Sequence, residues 1–517
     1  MNDTDTTAAA GTAESRERQI IFLLCLLAAV HVFLFAAAFP FFANTDEQLH
    51  LDLAVKYSQG HVPRSLNSPC AEVLPFISIY GTLEFLWPPE SQPDHRFPPP
   101  LWTLPPQTAA PTVLAKELAR KTITNQEASQ PPLYYTVAGL WWRLGKAFRL
   151  DGGALLYWLR FLNVPVMAAL VWLVWLAARA IFPKTVFPRL AAPALLAFMP
   201  QSAFYSIQND VFSPLTFGLA FLLLTRWLQA DPPGARLSLL TGLALAATFL
   251  TKISNLPLLA VSALAIGWKI RRLHRAGNLR AAAPAISCLA ICAGLPMALW
   301  MAWCRINFGD FTGSAAKIKF LGWAHQPFAE WWRHPIFTPS GLWTFLCDRA
   351  NAQGQVTETG NLATFWQGEM LWQGRPLAIH GMDLFYTILS LGLLALALAG
   401  LWRRAPAASA PQRQALRLAF LCFAASLAFF GFLSVIYDFH DCFYPSREHP
   451  YFTSGRLMLG ALVPVLFLVA FGLERALCRL GDPFKFIVLA ALLGLMLGAE
   501  ITTDWPIFPN AYNWFHL

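Results

Sequence analysis

Apolar runs, many of them about twenty residues long, recur from residue 20 almost to the C-terminus, with short clusters of Lys and Arg in alternate turns between them. An α-helix needs about 20 predominantly apolar residues to cross the hydrocarbon core of a bilayer, so this pattern commits the chain to a membrane. Charged residues make up only 13% of the sequence and hydrophobic ones 56%, against about 25% charged in a soluble domain. The expected fold class is therefore an all-α integral membrane protein, a multi-span helical bundle.

The apolar runs fall at 20–42, 155–178, 190–206, 212–228, 239–250, 258–268, 283–303, 384–402, 418–437, 457–471 and 486–497, which makes about eleven spans. Basic residues mark the cytoplasmic ends of spans. With Arg16 and Arg18 inside, the clusters Arg179, Lys184, Arg189; Arg226, Arg236; Lys269 to Arg280; Arg403, Arg404, Arg413, Arg417; and Arg475, Arg479, Lys485 also fall inside. The two pieces between 239 and 268 are short for full spans. The segment 134–148 carries Arg143 and Lys146 and reads as an interfacial helix.

This division predicts a cytoplasmic tail over 1–19 and a transmembrane module over 20–304 that includes a first outer loop, 43–153. A second outer loop follows over 305–379, then C-terminal transmembrane helices over 380–502 and an outer tail over 503–517. The net charge of +9 sits in the basic turns, which is a topology signal and excludes nucleic-acid binding. Nine cysteines show no Cys-x-x-Cys pair, and Cys288 and Cys292, inside an apolar run, read as packing residues.

Against this background one stretch stands out, Asn44-Thr45-Asp46-Glu47-Gln48-Leu49-His50, directly after the first span. Acids near a membrane are costly and are kept for a pathway, a partner or chemistry. Asp46 is the leading candidate for a catalytic base, although Thr45-Asp46 also has the composition of a helix cap. The same topology brings Glu127 and Gln130, ahead of Pro131-Pro132-Leu133-Tyr134-Tyr135, to the face that carries Asp46, Glu47 and His50. Asn209-Asp210 and Lys252 fall there too, and later loops add Glu369, His440, Asp441, Arg447, His449 and Arg456. Acids can take the proton of an attacking hydroxyl, and Lys or Arg can neutralise a phosphate. Lys252 has the alternative of snorkelling at a helix end, and Asp210 that of capping the next span. His440, Asp441 and His449 lack metal-site spacing and read as a solvated loop, and the tryptophans of 323–372 read as an interface belt.

The order of these motifs resembles the GT-C glycosyltransferase superfamily: an acidic pair after the first span, Gln130-Pro-Pro-Leu-Tyr-Tyr135, Arg160-Phe-Leu, Asn209-Asp210, Leu250-Thr251-Lys252, Ser454-Gly455-Arg456, and Thr364-Phe365-Trp366-Gln367-Gly368. The nearest likeness is to uncharacterised bacterial members, with protein O-mannosyltransferase and lipid A aminoarabinose transferase more distant. The resemblance implies a GT-C-like bundle with two large extracytoplasmic loops, sitting in the bacterial inner membrane with its site on the periplasmic side. It implies an inverting enzyme that moves a sugar from a polyprenyl-phosphate-linked donor to a glycan, lipid or protein acceptor. Asp46 and Glu47 would then be catalytic, Lys252 and Arg456 would bind the donor phosphate, and His50, Glu127, Gln130, Tyr134 and Trp366 would contact substrate. Asp210 matches a position that contributes to a divalent metal site in some members; no other cofactor is implied. The segment Glu127-Ala-Ser-Gln130 departs from relatives that carry His or Lys before the prolines, and Asp210 stands alone where others have Asp-x-Asp. A non-catalytic carrier or assembly partner for lipid-linked glycans is the competing function.

Overall fold

The structure, a computed structural model, describes residues 3–44, 46–81, 87–402, 409–442 and 444–516. Thr45, half of the expected helix cap, and Arg403 and Arg404 of one basic turn lie outside the described residues. Among those residues nine helices are long and apolar enough to cross a membrane, and two shorter apolar helices join them.

The first long helix, α1 (Asp3–Ala38), is followed by a loop region holding α2 (Glu47–Ser58), α3 (Leu74–Tyr80), α4 (Pro106–Arg120) and α5 (Pro132–Ala147). At 16 residues α5 is too short to span; it lies along α2, its buried face made by Tyr134, Tyr135, Ala138 and Trp142. The bundle resumes with α6 (Gly152–Arg160), α7 (Asn163–Ile181), α8 (Val186–Ala197), α9 (Ser213–Gln229), α10 (Ala235–Thr251), α11 (Leu256–Arg275) and α12 (Leu279–Phe308). The segment between α12 and the next long helix carries α13 (Ser314–Phe320), α14 (Phe328–Trp331), α15 (Pro339–Leu346) and α16 (Asn361–Gln367). Four helices complete the bundle: α17 (His380–Trp402), α18 (Ala410–Ile436), α19 (Leu462–Ala476) and α20 (Asp482–Asp504).

Two sequence expectations change in detail. The run 190–206 is not one helix: α8 stops at Ala197, and the chain continues through Pro200 into a short 3-10 turn over Ser202–Tyr205. The two short pieces between 239 and 268 are separate helices, α10 and α11, and α11 gains its length by running on to Arg275. Proline stands in the first turn of α9, α11, α18 and α20, where its missing N–H costs nothing.

Short strands pin the segments between the long helices. β1 (Ala324–His325) pairs antiparallel with β6 (Tyr437–Asp438), and β2 (Arg349–Ala350) pairs with β3 (Val356–Glu358). β4 (Leu371–Trp372) pairs with β5 (Arg375–Pro376). A lone bridge joins Asn44 to Met370 and so ties the chain after α1 to the chain after α16.

The segment of α19 is 89% buried and that of α9 78%, whereas α12 is 17% and α20 22% buried. The first two therefore form the centre of the bundle, and the last two present apolar faces outward. At one end Arg179 pairs with Glu14 and Arg189 with Glu17, closing the basic turn after α7 onto α1. At the other end the segments around residues 46, 210, 252 and 456 converge. α20 is fastened by a buried polar knot: Glu500 accepts from Tyr205, and its other oxygen lies 2.8 Å from His31 Nε2. Ionisable side chains within spans persist when paired in this way.

Candidate active site

After α1 the chain turns at Pro40, and Asn44 donates to Ser202 O and Ser206 Oγ at 3.0 and 3.1 Å. These bonds and the Met370 bridge fix the backbone just before Asp46. Asp46 itself has φ +65°, a left-handed conformation that Asp and Asn tolerate better than other residues. This turn separates the acidic pair. The Asp46 side chain stays 22% exposed, while Glu47 points into the bundle.

Glu47 meets Arg160 of α6 in a two-pronged ion pair, with Nε to Oε1 at 2.9 Å and Nη2 to Oε2 at 2.7 Å. The backbone N–H groups of Phe42 and Ile207 each donate to it at 2.9 Å. Arg160 also donates to the carbonyls of Ala36, Phe39 and Pro40. The expectation that Glu47 acts beside Asp46 is corrected by this geometry: both its oxygens are engaged in holding α1 to α6, and neither it nor Arg160 has any exposed side-chain surface.

Arg456 is the centre of the site. Its Nη2 lies 3.2 Å from Asp46 Oδ2, its Nη1 3.3 Å from Asp210 Oδ2 and its Nε 3.6 Å from Glu369 Oε2. Nη1 also donates to Gln208 at 2.8 Å. The residue can sit here because Gly455 packs against the backbone of Asn361 and Phe365, with no room for a Cβ. The Thr364-Phe365-Trp366 motif is therefore a floor for the Arg456 segment, and Thr364 accepts from the Gly455 N–H at 2.7 Å.

Lys252 Nζ lies 2.5 Å from Asp210 Oδ1. It is buried, so the snorkelling alternative does not hold. The Asp210 side chain is 1% exposed, and each of its oxygens rests on a cation; capping alone does not describe it. A divalent ion does not fit this donor set. Asp46, Asp210 and Glu369 converge on a guanidinium, and no three His, Cys, Asp or Glu side chains among the described residues could hold a metal.

The outer wall comes from two loops. Glu127 is paired with Lys317 of α13 and accepts from Gln130 at 2.6 Å. Asn209 donates to Gln130 at 3.3 Å, linking this wall to the Asp210 turn. Gln126 reaches Asp46 Oδ1 at 3.4 Å. Burial alone would push the Glu127 carboxyl up, but Lys317 and His50 outweigh it and hold it below the usual carboxylate range. Burial also pushes the Glu369 carboxyl up, against Arg456. Among the buried polar atoms, Glu369 Oε1 and Arg456 Nε have no hydrogen-bond partner, so both remain able to meet a polar ligand.

The other expected contacts are engaged by side chains other than Arg456. His50 is turned to the Tyr135 hydroxyl at 2.7 Å, and burial lowers its imidazole to about 4. Tyr134 is buried edge-on against Phe212. Trp366 donates to Ser390 at 2.8 Å and stacks on Tyr386; as a substrate contact it is corrected, because its ring is packed into α17. Arg447 pairs with Asp438 at 3.2 Å and His449 with Glu358 at 3.1 Å, apart from Arg456.

The sequence reading missed Lys317, Gln126 and Gln208 altogether, and it named Glu369 without assigning it a role. Lys317 is separated from Glu127 by 190 positions, and nothing in its own segment signals the pairing. Glu369 follows the Phe-Trp motif directly, which is the one signal that could have found it.

The family described as "Predicted membrane protein (DUF2142)" matches residues 27–429. No curated protein sequence matches the chain. Among solved structures the fold is similar to the Archaeoglobus fulgidus oligosaccharyltransferase in complex with zinc and sulfate, at 15% identity and a TM-score of 0.31. That similarity covers 75% of this chain and 44% of the other, so this chain spans less than half of that protein's length.

Proposed function

Since the chain belongs to the DUF2142 family of predicted membrane proteins, a description that names no reaction, we propose its function from the chemistry of the Arg456 pocket. The protein is an inverting glycosyltransferase that moves a sugar from a polyprenyl-phosphate-linked donor to an acceptor hydroxyl at the extracytoplasmic face. The observation that carries this reading is that Asp46 is the most open acid of the pocket. It is 22% exposed, with Oδ2 on Arg456 and only a long contact on Oδ1, whereas Glu369 is 14%, Glu127 4% and Asp210 1% exposed.

In this reading Asp46 removes the proton of the acceptor hydroxyl as its oxygen attacks the anomeric carbon. The bond from that carbon to the phosphate oxygen breaks, and its electron pair leaves on the phosphate. Arg456, through its unpartnered Nε, and Lys317, whose side chain is 30% exposed, face the departing charge. Lys252 is a positioning residue here rather than a phosphate ligand: it holds Asp210, which holds Arg456. Preorganised cations of this kind stabilise developing charge without reorganisation.

The test is Asp46→Asn, which keeps size and the left-handed turn. Purified wild type and variant are compared for turnover, and cells for envelope glycans and extracted polyprenyl-linked sugars. Turnover should fall at least about 10²-fold, the scale of removing a general base, with build-up of the lipid-linked donor at normal protein levels. An unchanged glycan profile, in a strain where deletion changes it, would exclude Asp46 as the base and favour a carrier for lipid-linked glycans.

A further inference from the structure

Along α18 the residues Arg417, Phe420, Ala424, Ala428, Gly431 and Val435 fall on one stripe, and three cavities meet end to end along it. At the end nearest the basic turns, Leu401, Trp402, Arg417 and Phe420 border about 400 Å³. The middle cavity, of about 1010 Å³, runs from Phe420 to Val435 beneath an outer wall of Trp331, Trp332, Phe337 and Leu342. The last, of about 220 Å³, begins at Val435 and is polar, with Gln326, Arg333, His334, Asp438 and Arg447 around it. Phe420 borders the first two and Val435 the last two, so the three adjoin one another along α18.

We propose that these cavities form one groove that binds the acceptor, and that the acceptor is a long-chain isoprenoid glycolipid with an uncharged, hydroxyl-rich head. The proposal rests on the transferase reading for calling this lipid an acceptor; the binding is read from the groove. Length is the first argument. From Arg417 to Val435 a helix rises about 27 Å, whereas one leaflet of the hydrocarbon core is about 15 Å deep. A chain confined to one leaflet fills only half of it. Width is the second: Ala424, Ala428 and Gly431 make a floor of small residues that leaves room for a branched chain under the aromatic wall.

Charge complementarity selects the head. Arg333 is paired with Glu330 at 2.9 Å and Arg447 with Asp438 at 3.2 Å. His334 is engaged with Pro450 O and the Ile336 N–H. With its cations offset, this pocket offers donors and acceptors together, which suits hydroxyls, while a phosphate would arrive without a free cation. The donor's phosphate is better met by Lys317 and Arg456. The two places are neighbours in the chain fold: β1, next to the polar pocket, follows α13 with its Lys317, and Trp323 packs on Tyr437 and Phe452 just before the Arg456 segment.

The experiment measures binding to the full chain in lipid nanodiscs by native mass spectrometry, with three probes. These are a fifty-five-carbon polyprenyl glucoside, a fifteen-carbon farnesyl glucoside with the same head, and a fifty-five-carbon polyprenyl phosphate with the same tail. The long glucoside should bind at least tenfold tighter than either of the others. Ala428→Trp, which fills the groove, should weaken it at least tenfold, with Ala424→Phe as the second variant should the first fold poorly. Leu264→Trp, at a side chain 75% exposed on α11, should leave binding unchanged. Equal binding of the short glucoside or of the phosphate, or full binding by both groove variants, overturns the proposal. Loss of turnover in Asp46→Asn alongside unaltered binding in both groove variants removes the groove alone; absence of turnover in the wild type removes the transferase reading and leaves the lipid site standing.

Discussion

Replacing the Glu47 carboxylate with an amide would leave the Arg160 guanidinium charged, buried and half-paired among carbonyl groups. Breaking a buried pair by one partner costs about 3 to 5 kcal/mol. Glu47→Gln should therefore lower the melting temperature and the folded yield, while Asp46→Asn, one position earlier, should leave both unchanged and remove turnover. Thermal unfolding of the two variants in the same detergent separates the structural acid from the one proposed to react. His50 gives a second test. Burial holds its folded imidazole at about 4, below its ordinary value of about 6.5. The unfolded chain then binds the extra proton between those values, so this contribution to stability is complete above about pH 6.5 and is lost as pH falls toward 4. His50→Gln should flatten the decline in melting temperature over that window. A decline of the same slope in the variant would assign it to other groups.

At the scale of elements, α13 is the piece whose position the proposed chemistry depends on. It has no buried residue and is held over the pocket by Lys317 on Glu127 and by the approach of Gly313 to Ser129. Gly313 has φ +73°, and a Cβ there would press on the Ser129 side chain. Lys317→Ala removes a charge-assisted contact of about 1.5 to 3 kcal/mol, so turnover should fall about tenfold to a hundredfold. Gly313→Ala should move the same helix outward and reproduce that loss, with the melting temperature of the bundle little changed, because α13 contributes no fully buried side chain. A loss of turnover in Lys317→Ala without any in Gly313→Ala would show that the charge matters and the seat of the helix does not.

For the whole molecule the orientation is the open quantity, and native cysteines report on it. Cys442 lies at the end of the bundle that carries Arg456, and Cys478 is exposed beyond α19 at the opposite end. A membrane-impermeant maleimide applied to intact spheroplasts should label Cys442 and reach Cys478 only after permeabilisation; the reverse pattern would put the Arg456 pocket in the cytoplasm. The spans were legible in the sequence because each is fixed locally, by apolar length and by the basic residues that close it. The same local signals located Asp46, Asp210, Lys252 and Arg456, since an ionisable residue beside a span is conspicuous wherever it stands. What those residues do to one another was not legible. Asp46 and Glu47 are adjacent and alike as sequence, and only the left-handed turn at Asp46 sends one to the pocket and the other to Arg160. Trp366 looked available as a platform until α17 supplied Ser390 and Tyr386 to cover it. Lys317 and Glu369 join the site through contacts across the fold, with Glu127 and Arg456. The chain by itself determined a helical membrane protein with its acids and bases at one face, because span length and charge act within a segment. Which acid stays open, and which cations are already spent, was decided by tertiary structure, because ion pairs depend on distances that no single segment contains.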